Sequence, residues 1–272
     1  MSRGSGPTIT ELREVVQPEG VLSRSNAEHW TGTLYMRRLS IYLTWLLVRT
    51  PISANGVTAL MIVVGFLAGP ALLLPGLWGP LVAALLAQFQ MFLDCSDGEV
   101  ARWRGTSSPK GIFLDQLGHF AAEGSIGLFL GLRAAGFVGA RETDPAMWWA
   151  FAFGGALLTS GIWLNKALNQ MVVIARTKVG LDALPDSAEV RSVPSGTLLG
   201  SLRRLARFVP FHRLYHSIEL TLVILVVTVI GMALSVDPMV IDRGLLFVLG
   251  GAIWPVIAGH FMAIWVSARL RA

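Results

Sequence analysis

The sequence predicts an all-α integral membrane protein, with six transmembrane helices and an amphipathic interfacial helix ahead of them. Three observations carry that reading. Hydrophobic residues make up 53% of the 272 residues and charged ones only 14%, with a mean hydropathy of +0.60. Such a composition fits a polytopic membrane protein and excludes a disordered chain. Six runs, at about 54–75, 78–98, 111–133, 146–168, 216–236 and 244–267, are long enough to cross a bilayer, which takes about 20 residues. The cationic residues between those runs also sort to one side.

Residues 1–28 are polar and of mixed charge, beginning MSRGSGPTITELREVVQPEG. They carry no signal-peptide pattern and no clear periodicity, so they read as a mobile tail. Residues 29–50 contain an apolar stretch too short to span. Tyr35, Leu39, Tyr42 and Leu46 fall on one side, with Arg37, Arg38 and Arg49 elsewhere. That pattern suits a helix lying in the interface on anionic lipid, or equally a buried first turn of the bundle. Residues 51–268 form the six-span domain, and no second domain is evident.

Charge orients the spans. Arg37, Arg38, Arg49, Arg102, Arg104, Lys110, the stretch from Arg176 to Arg213, Arg269 and Arg271 share one side. Only Arg133, Arg141 and Arg243 lie on the other, offset by Glu142, Asp144, Asp237 and Asp242. The positive-inside rule then places both termini in the cytoplasm of a cytoplasmic-membrane protein. The loop at about 170–213 is the longest polar insertion, and its Arg203, Arg204, Arg207, His212 and Arg213 sit among leucines and aromatics. An interfacial helix on phospholipid headgroups is the favoured reading, and a cationic wall for an anionic acceptor is the sharper one. Nucleic acid is not an expected partner, because the charges border the membrane and no recognition fold is evident. The single cysteine, Cys95, excludes an internal disulfide and carries no zinc spacing.

The chemistry concentrates in LDCSDGEVARWRGTSSPKGIFLDQLGH, Leu93 to His119. Asp94, Asp97, Gly98 and Ala101 are spaced i, i+3, i+4, i+7 and share one helix face; Gly111, Asp115 and His119 step by four along a second. Helices facing each other along those stripes bring three carboxylates and an imidazole together. That much negative charge needs a counter-ion, and a hard divalent cation, Mg²⁺ or Mn²⁺, suits oxygen ligands. An ordinary solvated turn is the plain alternative. It is disfavoured because Asp115 and His119 lie inside the apolar run GIFLDQLGHFAAEGSIGLFLGL, where ionisable groups are costly and functional.

The pattern D-x2-D-G-x2-A-R-x8-G-x3-D-x3-H resembles the signature of the CDP-alcohol phosphotransferases (CDP-alcohol phosphatidyltransferases), with His119 where the family carries a fourth Asp. The resemblance implies an integral membrane enzyme, a homodimer, that transfers a substituted phosphate from a CDP-linked alcohol to a second alcohol and releases CMP. Asp94, Asp97 and Asp115 would hold one or two metal ions against the pyrophosphate. Gly98, Ala101 and Gly111 would leave room for the nucleotide, while close helix packing is their alternative role. Arg102 suits a phosphate or the signature carboxylates.

The family opens its first span with a Pro-Asn-x-x-Thr sequence, matched here by Asn55 and Thr58 with the proline displaced to Pro51. Asn55 is therefore a helix cap first and a nucleotide contact second. The family's fourth Asp is implied to be the base for the incoming hydroxyl. His119 is chemically suited to that work, with Glu123 at i+4 expected to orient it; a polar packing role is the alternative. Lys166, flanked by Asn165 and Asn169, and Arg213 either reach to headgroups or hold a phosphate on the acceptor. The donor is expected to be CDP-diacylglycerol and the acceptor an alcohol or alcohol phosphate, in phospholipid biosynthesis. A soluble CDP-alcohol with a lipid or sugar-phosphate acceptor, a silent nucleotide-binding relative, and an ion-conducting bundle are the competing readings. The clustering of the acids towards one side weighs against the last.

Overall fold

A computed structural model describes residues 6–18, 35–137, 144–181 and 211–270. They are helical throughout, with no strand among them. Eight α-helices follow in order: α1 (Ile9–Val16), α2 (Arg37–Leu47), α3 (Ala54–Ala71), α4 (Trp78–Arg104), α5 (Pro109–Ala134), α6 (Pro145–Lys178), α7 (Ser217–Ala233) and α8 (Pro238–Trp265). Each of the six expected apolar runs holds one of α3 to α8. By length and composition, three helices among the described residues are long and apolar enough to cross a membrane: α3, α6 and α8. The other three differ for visible reasons. Helix α7 has 17 residues, while α4 and α5 carry the acidic residues of the signature.

The outer surface of the bundle is apolar, as on Phe247 (82% exposed), Trp149 and Val248. Its interior packs an aliphatic core and also buries polar groups such as Gln90, Ser96, Thr159 and Thr221. An apolar exterior of this size needs a non-aqueous partner. Close approach at the centre depends on small residues: a Cβ on Gly69 of α3 would stand 2.6 Å from the Ser125 backbone of α5. Helix α3 packs against both α4 and α5, whereas α4 and α5 touch each other only sparsely. The two halves of the signature thus face one another across a cleft with α3 along one side.

Several sequence expectations change here. Residues 6–18 do not trail: Thr8 caps α1 and Glu11 reaches back to it in a capping box. Leu12 and Val16 are fully buried with Ile41. Helix α2 is amphipathic. It turns Leu39, Tyr42 and Leu46 outward and buries Ser40, Ile41, Thr44 and Leu47, packing against α4. Asn55 does not cap α3; Ser53 does, accepting from the Gly56 N–H at 3.1 Å, because Ser53 takes the extended backbone a cap requires. The last helix begins at Pro238, so Asp242 and Arg243 lie within it and not in the preceding connection. Residues 29–34, Arg141, Glu142, Arg203, Arg204, Arg207 and Arg271 lie outside the described residues.

Candidate active site

Helix α4 runs unbroken from Trp78 to Arg104, which places Asp94, Asp97, Gly98 and Ala101 on one face as their spacing requires. It stops at Gly105, whose φ of 64° is left-handed, the conformation that ends helices. Four residues later α5 starts at Pro109, capped by Ser108 through the Gly111 N–H at 3.2 Å. That short reversal carries Asp115 and His119 back beside Asp94. His119 Nε2 stands 3.0 Å from Asp94 Oδ1 and 3.5 Å from Asp115 Oδ1. One ligand atom from each of the three lies within 4.8 Å of the others. All three side chains keep some access, at 16% for His119, 20% for Asp94 and 32% for Asp115.

Asp97 is held differently. Its Oδ2 accepts from the Thr58 hydroxyl at 2.6 Å, tying α4 to α3. The converging set is therefore Asp94, Asp115 and His119, and not the three aspartates together. Two carboxylates offer hard oxygen donors that fit a divalent cation, and an imidazole can complete such a set for the softer members of that class. The donor set fits a metal without fixing its identity.

The expected pairing of His119 with Glu123 is not what the helices produce. Glu123 is 2% exposed and its Oε1 meets Lys166 Nζ at 2.7 Å and His216 Nδ1 at 2.9 Å. A buried carboxylate requires compensation, and the lysine of α6 and the histidine before α7 supply it. The imidazole of His119 turns instead to the two aspartates. Lys166 is thus engaged within the bundle. Around this pair lies a small pocket lined by Glu123, Ile162, Asn165, Lys166, Asn169, Tyr215 and His216. The Tyr215 hydroxyl donates to Leu249 O at 2.9 Å, and burial pushes its phenol up to about 12. It stays protonated and is no base at neutral pH.

The remaining expected residues sit around this centre. Gly111 faces Asn55, whose Oδ1 stands 3.2 Å from where a Cβ on Gly111 would lie, so the glycine admits the asparagine at the mouth of the cleft. Arg102 lies along the Gly98 face, with Nη1 3.4 Å from a Cβ placed there, and its Nε donates to Val16 O at 2.8 Å. Ala101 is half-buried one helical turn beyond Gly98. Arg213 falls in the 3₁₀ turn Phe211–Tyr215, next to His216 but outside the pocket lining. Sequence reasoning missed His216 and the hydrogen bond from Thr58 to Asp97. Nothing in local spacing marks His216, which lies 93 residues from its partner.

The family model described as CDP-alcohol phosphatidyltransferase matches residues 51–233, which contain the whole signature and the pocket. No curated protein matches this chain.

Proposed function

The chain belongs to the CDP-alcohol phosphatidyltransferase family, and from that premise we propose that it transfers a substituted phosphate from CDP-diacylglycerol to the hydroxyl of a second alcohol, releasing CMP. The observation that carries this reading is the convergence of Asp94, Asp115 and His119 in the cleft between α4 and α5. The family is metal-dependent, and Asp94 and Asp115, with Asp97 a turn along α4, are the residues that would hold Mg²⁺ or Mn²⁺, while His119 keeps its lone pair for the acceptor. When bound, the metal supplies charge neutralisation for the pyrophosphate and the departing CMP.

The chain's own groups do the rest. Gly98 and Ala101 keep the α4 face thin, so the nucleotide lies against the backbone, with Arg102 beside it for a phosphate oxygen. Asn55 and Gly111 border the same opening. The acceptor oxygen attacks the phosphorus that bears the diacylglycerol, and the bond from that phosphorus to CMP breaks. The proton of the acceptor hydroxyl passes to His119 Nδ1, since Nε2–H is turned to Asp94 and Asp115. Asp94 and Asp115 stabilise the imidazolium so formed, the part first expected of Glu123. The pocket around Lys166 and Glu123 receives the acceptor, with Arg213 near its rim.

Six helices, α3 to α8, cross the membrane in this reading, α2 lies at its surface, and both termini and the cleft face the cytoplasm. The positive-side bias of the loops and the apolar exterior support this arrangement. Family resemblance supports a homodimer.

CMP release tests the proposal. Purified protein in lipid, given CDP-diacylglycerol, Mg²⁺ and a panel of alcohols and alcohol phosphates, should release CMP with one acceptor only when the metal is present. Release from soluble CDP-alcohols alone would reassign the donor. Silence with every donor, nucleotide binding intact, would overturn the enzymatic reading.

A further inference from the structure

Glu99 lies in the middle of the signature helix, yet the mechanism above does not use it. It is fully buried. Two residues on from Asp97, it points to the opposite side of α4, away from the cleft. A buried carboxylate is costly unless its oxygens are bonded, and three donors from the N-terminal segment meet them. Gln17 Nε2 donates to Oε1 at 2.7 Å, Ser40 Oγ to Oε1 at 2.8 Å and Thr44 Oγ1 to Oε2 at 2.6 Å. The same Gln17 nitrogen donates to Arg37 O at 2.7 Å, joining α1 to α2.

A second bond joins these helices to the cleft face. The carbonyl of Val16 belongs to the last turn of α1, where carbonyls lack helical partners and the helix dipole is negative. It accepts from Arg102 Nε at 2.8 Å, and the guanidinium of Arg102 then lies over Gly98. Gln17, Ser40, Thr44 and the Val16 carbonyl all precede residue 51, where the family match begins.

We propose that Glu99 is a positioning residue, and that α1 and α2 form a clasp that uses it to fix the rotation of α4 about its own axis. The inference rests on the functional reading above. Because α4 and α5 touch only sparsely, the register of Asp94 and Asp97 against Asp115 and His119 is set from the outer sides of α4. Thr58 of α3 holds Asp97 on one side, and the clasp holds Glu99 and Arg102 on the other. Loosening the clasp moves the nucleotide face and Arg102 without removing any group that touches substrate.

The test compares full-length wild type with Gln17→Ala, Glu99→Ala and Glu99→Gln in lipid nanodiscs. It reads kcat, the KM for each substrate, thermal melting, and hydrogen exchange of amides 97–104. Losing one charge-assisted bond in Gln17→Ala should raise the KM for the CDP donor about tenfold, and the KM for the acceptor by less than about twofold. Glu99→Gln should lie closer to wild type than Glu99→Ala, since the amide oxygen still accepts from Gln17 and the hydroxyls can reverse their roles. Wild-type donor KM in all three variants, whatever their melting temperatures, would overturn the proposal. Wild type releasing no CMP from any donor would sink the functional reading instead. The clasp would then stand on faster exchange of amides 97–104 in Glu99→Ala and fall if that exchange is unchanged.

Discussion

The two ends of α5 carry charge clusters built to opposite rules. Near its C-terminus, Arg133 and Asp242 are each 5% exposed and form a closed set. Arg133 Nε reaches both Asp242 oxygens at 2.9 Å, Nη1 takes Leu72 O at 2.6 Å and Leu74 O at 3.0 Å, and Nη2 takes Gly76 O at 3.0 Å. One positive charge meets one negative, and the same guanidinium satisfies carbonyls at the end of α3. Near the N-terminus, Asp94 and Asp115 share one imidazole, Asp97 follows a turn along α4, and the side chains of the converging set stay partly open. Charge that is balanced and sealed holds helices together. Charge left in excess and open to a cleft is the arrangement expected where something binds.

The sharpest way to break that contrast is at the sealed end. Arg133→Ala strands a buried carboxylate and the Leu72, Leu74 and Gly76 carbonyls just past α3, so it should cost about 3–5 kcal/mol of stability. The check is denaturant unfolding in detergent together with activity per folded molecule, which should not fall in step. A melt unchanged from wild type would remove the structural role.

The open end should answer in the reverse sense. His119→Ala should lower kcat roughly 100-fold and leave melting near wild type, because the imidazole is only partly buried. His119→Asp, which puts a carboxylate base where the imidazole stands, should recover much of the loss. Turnover nearly intact in His119→Ala would end the base assignment.

The smallest expected effect lies at the exposed cap of α1. Hydrogen bonds from the Thr8 backbone N–H, then from its hydroxyl, hold the Glu11 carboxyl below the usual carboxylate range. A lowered value means the cap's contribution is fully present above the unfolded carboxyl value, about 4.3. It is lost as pH falls through the lower folded one. Tryptophan fluorescence from Trp45 and Trp103, which pack beside α1, should hold constant at neutral pH and change only in acid. Thr8→Ala should move that change to higher pH.

How much of this was legible in the sequence follows from the range of each interaction. Asp94, Asp97, Asp115 and His119 lie within a short segment, and helical period alone puts them on facing stripes. The capping box of α1 was equally local, Thr8 and Glu11 three apart, yet the surrounding polar composition concealed it. Ser53, two residues before Asn55, was likewise a visible cap. The partners of Glu123 were not legible: i+4 spacing points to His119, but Lys166 lies 43 residues away and His216 93. Which of several candidates a buried carboxylate takes is settled by packing between α5, α6 and α7, not by its own helix. Glu99 falls at an unspecified position of the signature, and its partners appear only when α1 and α2 are laid against it.

A metal-dependent reacting centre at the open cluster should show itself in a single titration. CMP release from CDP-diacylglycerol is followed against Mg²⁺ or Mn²⁺ concentration for wild type and Asp115→Asn, with melting recorded for both. The account predicts saturable, metal-dependent release in wild type. In Asp115→Asn it predicts a loss of roughly 100- to 1,000-fold at a melting temperature equal to or above wild type, since relieving excess negative charge does not weaken the fold. Release that ignores the metal, or an Asp115→Asn protein that keeps wild-type turnover, would contradict it.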